Sequence, residues 1–292
     1  MSDFLQLLLS GTATGACYAL AALGFTLLWQ ASGTINFALG EMVMLPAFIM
    51  LFFLGQVGLP LPLAFVATVL VSLLVLGFGF KRAVVDPMIR HGVIPLVIAT
   101  LGLSIAMKQT VRIAASAQVY SFPSIFSETL LSFGGARLSV ADIGTVAVAG
   151  ALVLALQAFL NGTLTGRAMQ AVAQNRDAAV VLGIDADRMV LYAFLINAFL
   201  AAATALLVTP VYLAKFDMGD TLGLKAFYAA IIGGFNNSRG ALLGGVIVGV
   251  LENLVGAYIS AGYKDGVALM LFLAVILFKP EGLLGRPEER KV

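Results

Sequence analysis

An all-α, polytopic transmembrane helical bundle of about eight spans is the fold this sequence predicts, and three observations predict it. Of its 292 residues 61% are hydrophobic and only 11% charged, less than half of the roughly 25% charged residues usual in soluble domains. The mean hydropathy is +1.02. Uncharged stretches such as 4–40 and 42–80 outrun the ~20 residues that one crossing takes. Together these exclude a soluble enzyme, a disordered chain and a nucleic-acid-binding domain. The net charge of +2 is too small to argue for an anionic partner. The single Cys17 has no partner for an internal disulfide, and the single His91 cannot supply a multi-His metal site. No cofactor and no metal are expected, and 1–292 reads as one membrane domain in the lipid bilayer. No Lys or Arg precedes the first apolar run, so that run reads as a retained span rather than a cleaved signal.

Span 1 covers about 5–29, with Trp29 suited to an interface. The remainder, 31–40, holds two glycines and Asn36 and predicts a broken segment around 31–41. Gly55, Gly58, Pro60 and Pro62 divide the next run into span 2 (about 41–56) and span 3 (about 61–80). Residues 81–92 are polar, with Lys81, Arg82, Asp86 and Arg90. Span 4 covers about 93–107, and reaches Ile113 if Lys108 and Arg112 lie at its end. Residues 114–138, with Pro123, Glu128 and the Gly134-Gly135 pair, predict an external loop with a short interfacial segment. Span 5 is about 139–160, with Asp142 near its start. Residues 161–188 form the longest polar segment. Span 6 is about 189–213, and Lys215, Asp217, Asp220 and Lys225 mark a loop. The apolar stretch 226–235 reaches only about half the bilayer at ~1.5 Å per residue. Asn236 to Gly240 then breaks it, which predicts a broken or re-entrant segment around 226–240. Span 7 is about 241–259, span 8 about 265–279, and 280–292 is a charged tail.

The Lys/Arg bias orients the chain. Segments 81–92, 161–188 and the tail each carry at least three basic residues, which places them and the C-terminus in the cytoplasm and the N-terminus in the periplasm. The count of crossings then needs the 226–235 helix to enter from outside. Broken helices at membrane depth survive only where protein or water satisfies their polar groups, and they are common in transporters.

An enzyme reading has almost nothing to stand on. The chain lacks a Gly-Lys dipeptide, hence a P-loop for ATP, and it lacks the Gly-x-Ser-Gly and Gly-x-Gly-Asp patterns of intramembrane proteases. The most informative stretch is Gly166 to Ile184. It is Ala-rich and favours a helix. Thr165 can cap its start, Asn175 or Asp177 can cap a second short helix, and Gly183 can end it. Met169, Val172, Ala173 and Val180 can form an apolar face. Such a piece at the cytoplasmic surface suits a soluble partner, and a solvated loop or interfacial helix is the plainer reading.

Asp177-Ala178-Ala179-Val180-Val181-Leu182-Gly183 resembles the opening of the Glu-Ala-Ala-three-residues-Gly motif of bacterial ABC-importer permeases. It departs from that motif in its Asp and in lacking the later Ile-x-Leu-Pro portion. The order of Gly33 to Glu41, Gly166 to Ile184, and Gly223 to Gly234 followed by Gly240 to Gly245 is similar, over nearly the full chain, to the branched-chain amino-acid permease family of the LivH type. The resemblance implies a permease subunit of an inner-membrane importer for the leucine, isoleucine and valine class. It also implies a second permease of LivM type, two ATPases docking on 166–184 and a periplasmic binding protein that supplies most of the selectivity. On that reading Gly166, Arg167, Arg176, Asp177, Ala178, Ala179 and Gly183 couple to the ATPases; for Arg167 and Arg176, as for Arg188, setting the topology is the plainer alternative. Urea and short-amide importers share this layout. A secondary transporter working alone is a rival, and it would need more intramembrane charge than Glu41 and Glu252 offer.

Four residues are candidates for the translocation path or its gate. Glu41, between two long uncharged runs, either gates the path, paired with Asn36, or caps span 2. Glu252, beside Asn253 in span 7, is a pathway or interface group or an interhelical packing bond. Asn36 and Gly234 sit in the two breaks. Lys225 is an external anchor or a contact for the binding protein. Gly11-x-x-x-Gly15, Gly240-x-x-x-Gly244 and Gly245-x-x-x-Gly249 allow close helix packing.

Overall fold

The computed structural model describes residues 2–33, 35–89, 91–127, 129–133, 136–235 and 237–285. Thr34, Arg90, Glu128, the Gly134-Gly135 pair, Asn236 and the tail from 286 onward lie outside the described residues.

In chain order the elements are α1 (Ser2–Ser32), α2 (Leu39–Gly55), α3 (Leu61–Ser72), α4 (Asp86–Ile89) and α5 (Val93–Ala115). The hairpin β1 (Leu130–Phe133) and β2 (Ala136–Ser139) follows. Then come α6 (Val140–Gly162), α7 (Leu164–Gln174), α8 (Arg176–Val181) and α9 (Ala186–Tyr212). The chain closes with α10 (Met218–Gly233), α11 (Ser238–Tyr258), a 3₁₀ turn (Ala261–Tyr263) and α12 (Lys264–Phe278). Two π-helical stretches, Leu73–Gly79 and Lys81–Val85, join α3 to α4 in one rod, Leu61–Ile89.

Among the described residues 7 helices are long and apolar enough to cross a membrane, and the 17-residue α2 is a shorter apolar helix beside them. The chain is an all-α, multi-pass membrane bundle. Little of α5, and less still of Ala261–Phe278, is buried. Ile94, Ile98, Ile105, Leu277 and Phe278 are exposed there, which in a bilayer carries none of the penalty it would carry in water.

Three elements differ from the sequence reading. Residues 81–89 continue the helix of span 3 instead of forming a loop. The charge they bring in is offset, because Lys81 Nζ lies 2.9 Å from the Asp86 carboxylate. Within 114–138 the chain forms the β1–β2 hairpin, with Leu131 opposite Leu138. The Gly-Gly pair between two short strand-like runs was a hairpin signal. Helix α10 begins at Met218, not 226. Its 16 residues span ~24 Å at ~1.5 Å per residue, and they take Asp220 and Lys225 out of the expected loop.

The chain folds as two compact units, one of Met1–Thr26, Phe126–Val153 and Lys225–Val292, the other of Leu27–Ile125 and Leu154–Leu224. In the first, α1 and α11 pack glycine against glycine. A Cβ at Gly15 would lie 2.7 Å from the Gly245 carbonyl oxygen, so the Gly-x-x-x-Gly pairs serve helix packing here. In the second, α2, the Leu61–Ile89 rod and α9 form the core. Met42, Met44 and Met50 are buried in it, and Phe80 stacks on Phe194 at 5.7 Å between ring centroids.

Candidate functional site

The second unit concentrates polar groups where the break after α1 meets α2. Asn36 Oδ1 accepts the Ala38 N–H at 3.0 Å, which turns the chain into α2. Its amide also reaches Met42 Sδ at 3.5 Å, and Asn197 of α9 reaches the same sulfur at 3.5 Å. Asn36 therefore partners Met42 and its own turn, not Glu41. Glu41 lies in the first turn of α2 and is 2% exposed. Its carboxyl lies within electrostatic reach of Ser104 of α5 and Asp220 of α10. Lys108 of α5 closes the set by ion-pairing Asp220. The close approach of α2 and α10 requires glycine on both sides, because a Cβ at Gly219 would lie 2.9 Å from the Gly40 carbonyl carbon.

Ser104, Lys108, Asn197 and Asp220 were not among the sequence candidates. Ser104 and Lys108 stand four residues apart on one helix face, and that spacing was a readable signal. Asp220 was hidden by its reading as a loop residue.

The first unit holds a buried ion pair. Lys225 Nζ lies 2.5 Å from Glu252 Oε1 and 3.1 Å from Asp265 Oδ1. Glu252 Oε2 accepts the Tyr18 hydroxyl at 2.8 Å. The Lys225 and Glu252 side chains are only 6% and 5% exposed. Lys225 is thus no external anchor. It sits inside α10 and neutralises a carboxylate on α11, and α1 supplies the neutral hydrogen bond.

Gly234, at φ +110, ends α10 and lies beneath the segment after α12. Leu283 and Leu284 donate their N–H groups to the carbonyls of Ile232 and Gly233 at 2.8 and 3.0 Å. The Asn237 side chain donates to the Leu284 carbonyl at 2.9 Å. Two carbonyls that α10 leaves without intrahelical partners are satisfied in this way. The end of α10, the start of α11 and the segment after α12 meet at one place. Gly234 is there covered by backbone.

The polar segment between α6 and α9 is an elbow of two helices. Thr163, not Thr165, caps α7 by accepting the Gly166 N–H at 2.9 Å. Asn175, the first of the two predicted candidates, caps α8 by accepting the Ala178 N–H at 3.0 Å. Gly183, at φ +84, donates to the Val180 carbonyl at 2.9 Å, and Ile184 donates to that of Ala179 at 3.0 Å. This paired pattern ends a helix on a glycine. Gly166, Met169, Val172 and Ala179 are buried, and a Cβ at Gly166 would meet the backbone of Phe159 and Leu160. Asp177 and Ala178 are exposed. Arg167 Nε donates to the Asn161 carbonyl at 3.2 Å, and Arg176 pairs with Asp187 at 2.7 Å. Val180, expected on one apolar face with Met169, Val172 and Ala173, is exposed while Met169 and Val172 are buried. Val181 and Leu182 beside it are 86% and 80% exposed.

A lipid-crossing bundle with polar sets inside it and an elbow outside its cores is a multi-pass membrane permease. The chain belongs to the family described as branched-chain amino acid transport system / permease component, whose model matches residues 7–276. It is 34% identical to the high-affinity branched-chain amino acid transport system permease protein BraD of Pseudomonas aeruginosa, over 99% of this chain and 98% of that one. It is 32% identical to the corresponding LivH of Salmonella typhimurium, again over 99% and 98%. At 26% identity, over 81% of this chain and 68% of the relative, it resembles the autoinducer 2 import system permease protein LsrC of Yersinia pseudotuberculosis.

Proposed function

We propose that this chain is the transmembrane permease subunit of an ATP-binding-cassette importer that moves branched-chain amino acids across the inner membrane by alternating access. The observation that carries the reading is the elbow. Its inner face is anchored by Met169, Val172 and Ala179, while Val180, Val181 and Leu182 stand exposed at its tip. Bare aliphatic side chains on a capped, rigid turn suit a protein partner, and this chain carries no P-loop of its own. The partners are two ATPases on the elbow, a second permease of similar build and a periplasmic binding protein. The elbow and the C-terminus face the cytoplasm, and the N-terminus faces the periplasm. Meeting of the α10 end with the segment after α12 supports an α10 that enters from the periplasmic side. Branched-chain substrates follow from BraD and LivH, the most similar relatives described above.

Within the membrane, Glu41, Asp220 and Lys108 are the gate of the path. Charged groups at that depth are costly and mark transport routes, and a lysine paired with one acid of two can exchange partners as helices shift.

The test is leucine uptake into proteoliposomes holding the full complex, with ATP inside and the binding protein outside. ATP-dependent uptake is expected. Lys108→Met is expected to slow it about tenfold, the effect of ~1.4 kcal/mol on a barrier, with assembly intact. Uptake of urea or short amides in place of leucine would reassign the substrate. Uptake by the single chain on an ion gradient, without ATPases, would overturn the reading.

A further inference from the structure

A cavity of about 280 Å³ opens in the first unit between the start of α1 and the start of α6. Leu9, Ile143 and Val146 form its apolar wall, and Gln6, Thr12, Ser139 and Asp142 are the polar groups that reach it; the Thr12 hydroxyl is spent on the Leu8 carbonyl at 2.7 Å. At ~30 Å³ per water it has room for a group much larger than one solvent molecule. Its chemistry is unusual because of Asp142. Among the described residues this carboxyl group makes no hydrogen bond and no ion pair, whereas Glu252, Asp220, Asp86 and Asp187 each hold a cation. Its place in the first turn of α6 offsets part of its charge through the helix dipole but supplies no counter-ion. Ser139 Oγ accepts the Ala141 N–H at 3.2 Å, which leaves its own hydrogen free to donate.

The arrangement pairs one uncompensated carboxylate with neutral donors and an aliphatic wall in a membrane helix bundle. The matching ligand carries a primary ammonium for Asp142, an anionic oxygen for Gln6 and Ser139, and an aliphatic body for Leu9, Ile143 and Val146. We propose that this cavity is a binding site for a zwitterionic amphiphile with a primary ammonium. The two sources of that chemistry are an ethanolamine phospholipid and a free aliphatic amino acid. The site lies outside the Glu41–Asp220–Lys108 set and stands whether or not that set is the gate. A quaternary choline head lacks the N–H bonds that Asp142 accepts, and a glycerol head lacks the cation, so the site separates lipids by headgroup.

The test is native mass spectrometry of the full-length chain from nanodiscs of mixed phosphatidylethanolamine, phosphatidylglycerol and phosphatidylcholine. A parallel arm uses leucine in nanodiscs without phosphatidylethanolamine. Selective retention of phosphatidylethanolamine, lowered about tenfold by Asp142→Asn and restored by Asp142→Glu, is the expected result, the size of one charge-assisted contact. Retention of leucine alone, with the same dependence on Asp142, identifies the amino acid as the source and supports the site equally. Ala147→Leu narrows the cavity and keeps the charge. It is expected to lower retention as well, and it decides the matter if Asp142→Asn does not fold. Equal retention of all three lipids with no leucine adduct, or undiminished retention in Asp142→Asn or Ala147→Leu, overturns the proposal.

Discussion

Lys225→Met is expected to destabilise the chain by about 3–5 kcal/mol, the cost of leaving one member of a buried ion pair alone. Glu252 would keep only the Tyr18 hydroxyl, a neutral donor, against a full charge in a site that is 5% exposed. Glu252→Gln should cost less, roughly 1–3 kcal/mol, because Lys225 retains Asp265 at 3.1 Å and that carboxylate is 76% exposed. The asymmetry follows from the partners: the lysine has two acids, and the glutamate has one cation. The double variant Lys225→Met/Glu252→Gln removes both charges and should recover most of the loss. Unfolding of the full chain by SDS in mixed micelles, followed by far-UV circular dichroism, measures all three. If the two single effects simply add, to within about 0.5 kcal/mol, the pair does not hold α10 to α11.

That pair also shows how far the sequence could be read. Glu252 was visible as a lone acid inside an apolar run, and charge inside a span must be paired. Its partner was not visible, because Lys225 stands among Lys215, Asp217 and Asp220, a density of charge that looks like a loop. Seven residues of helix before 225 turn that loop into an intramembrane element. The same misreading hid Asp220 and with it the ion pair to Lys108 within electrostatic reach of Glu41. Spans were legible because they depend on local hydrophobicity alone. Partners across helices depend on the rotation of each helix, and one sequence carries little of that. The elbow was legible in outline, since Asn175 and Gly183 are local signals with local consequences. Its cap at Thr163 rather than Thr165, and the outward turn of Val180, were decided by how α7 lies on the end of α6, where Gly166 meets Phe159 and Leu160.

The elbow is where one substitution should separate folding from coupling. Gly183→Pro removes the N–H that bonds Val180 at 2.9 Å and fixes φ near −65°, where the native value is +84. The end of α8 must then unwind, and the Val181–Leu182 tip loses its position. Ala179→Glu acts from inside, since it puts a charge where the native side chain is 2% exposed without a partner to receive it. Val181→Asp acts from outside. That position is 86% exposed, so the fold should be unchanged within about 0.5 kcal/mol while an apolar docking surface gains a charge. In the reconstituted complex, substrate-stimulated ATP hydrolysis should fall about tenfold in all three, equivalent to ~1.4 kcal/mol of coupling. Membrane insertion and the hydrolysis rate of the free ATPases should stay as they are. Val181→Asp is the discriminating variant, because its loss cannot be assigned to a damaged elbow. Full coupling in both Val181→Asp and Gly183→Pro would mean that the motor grips this permease somewhere else.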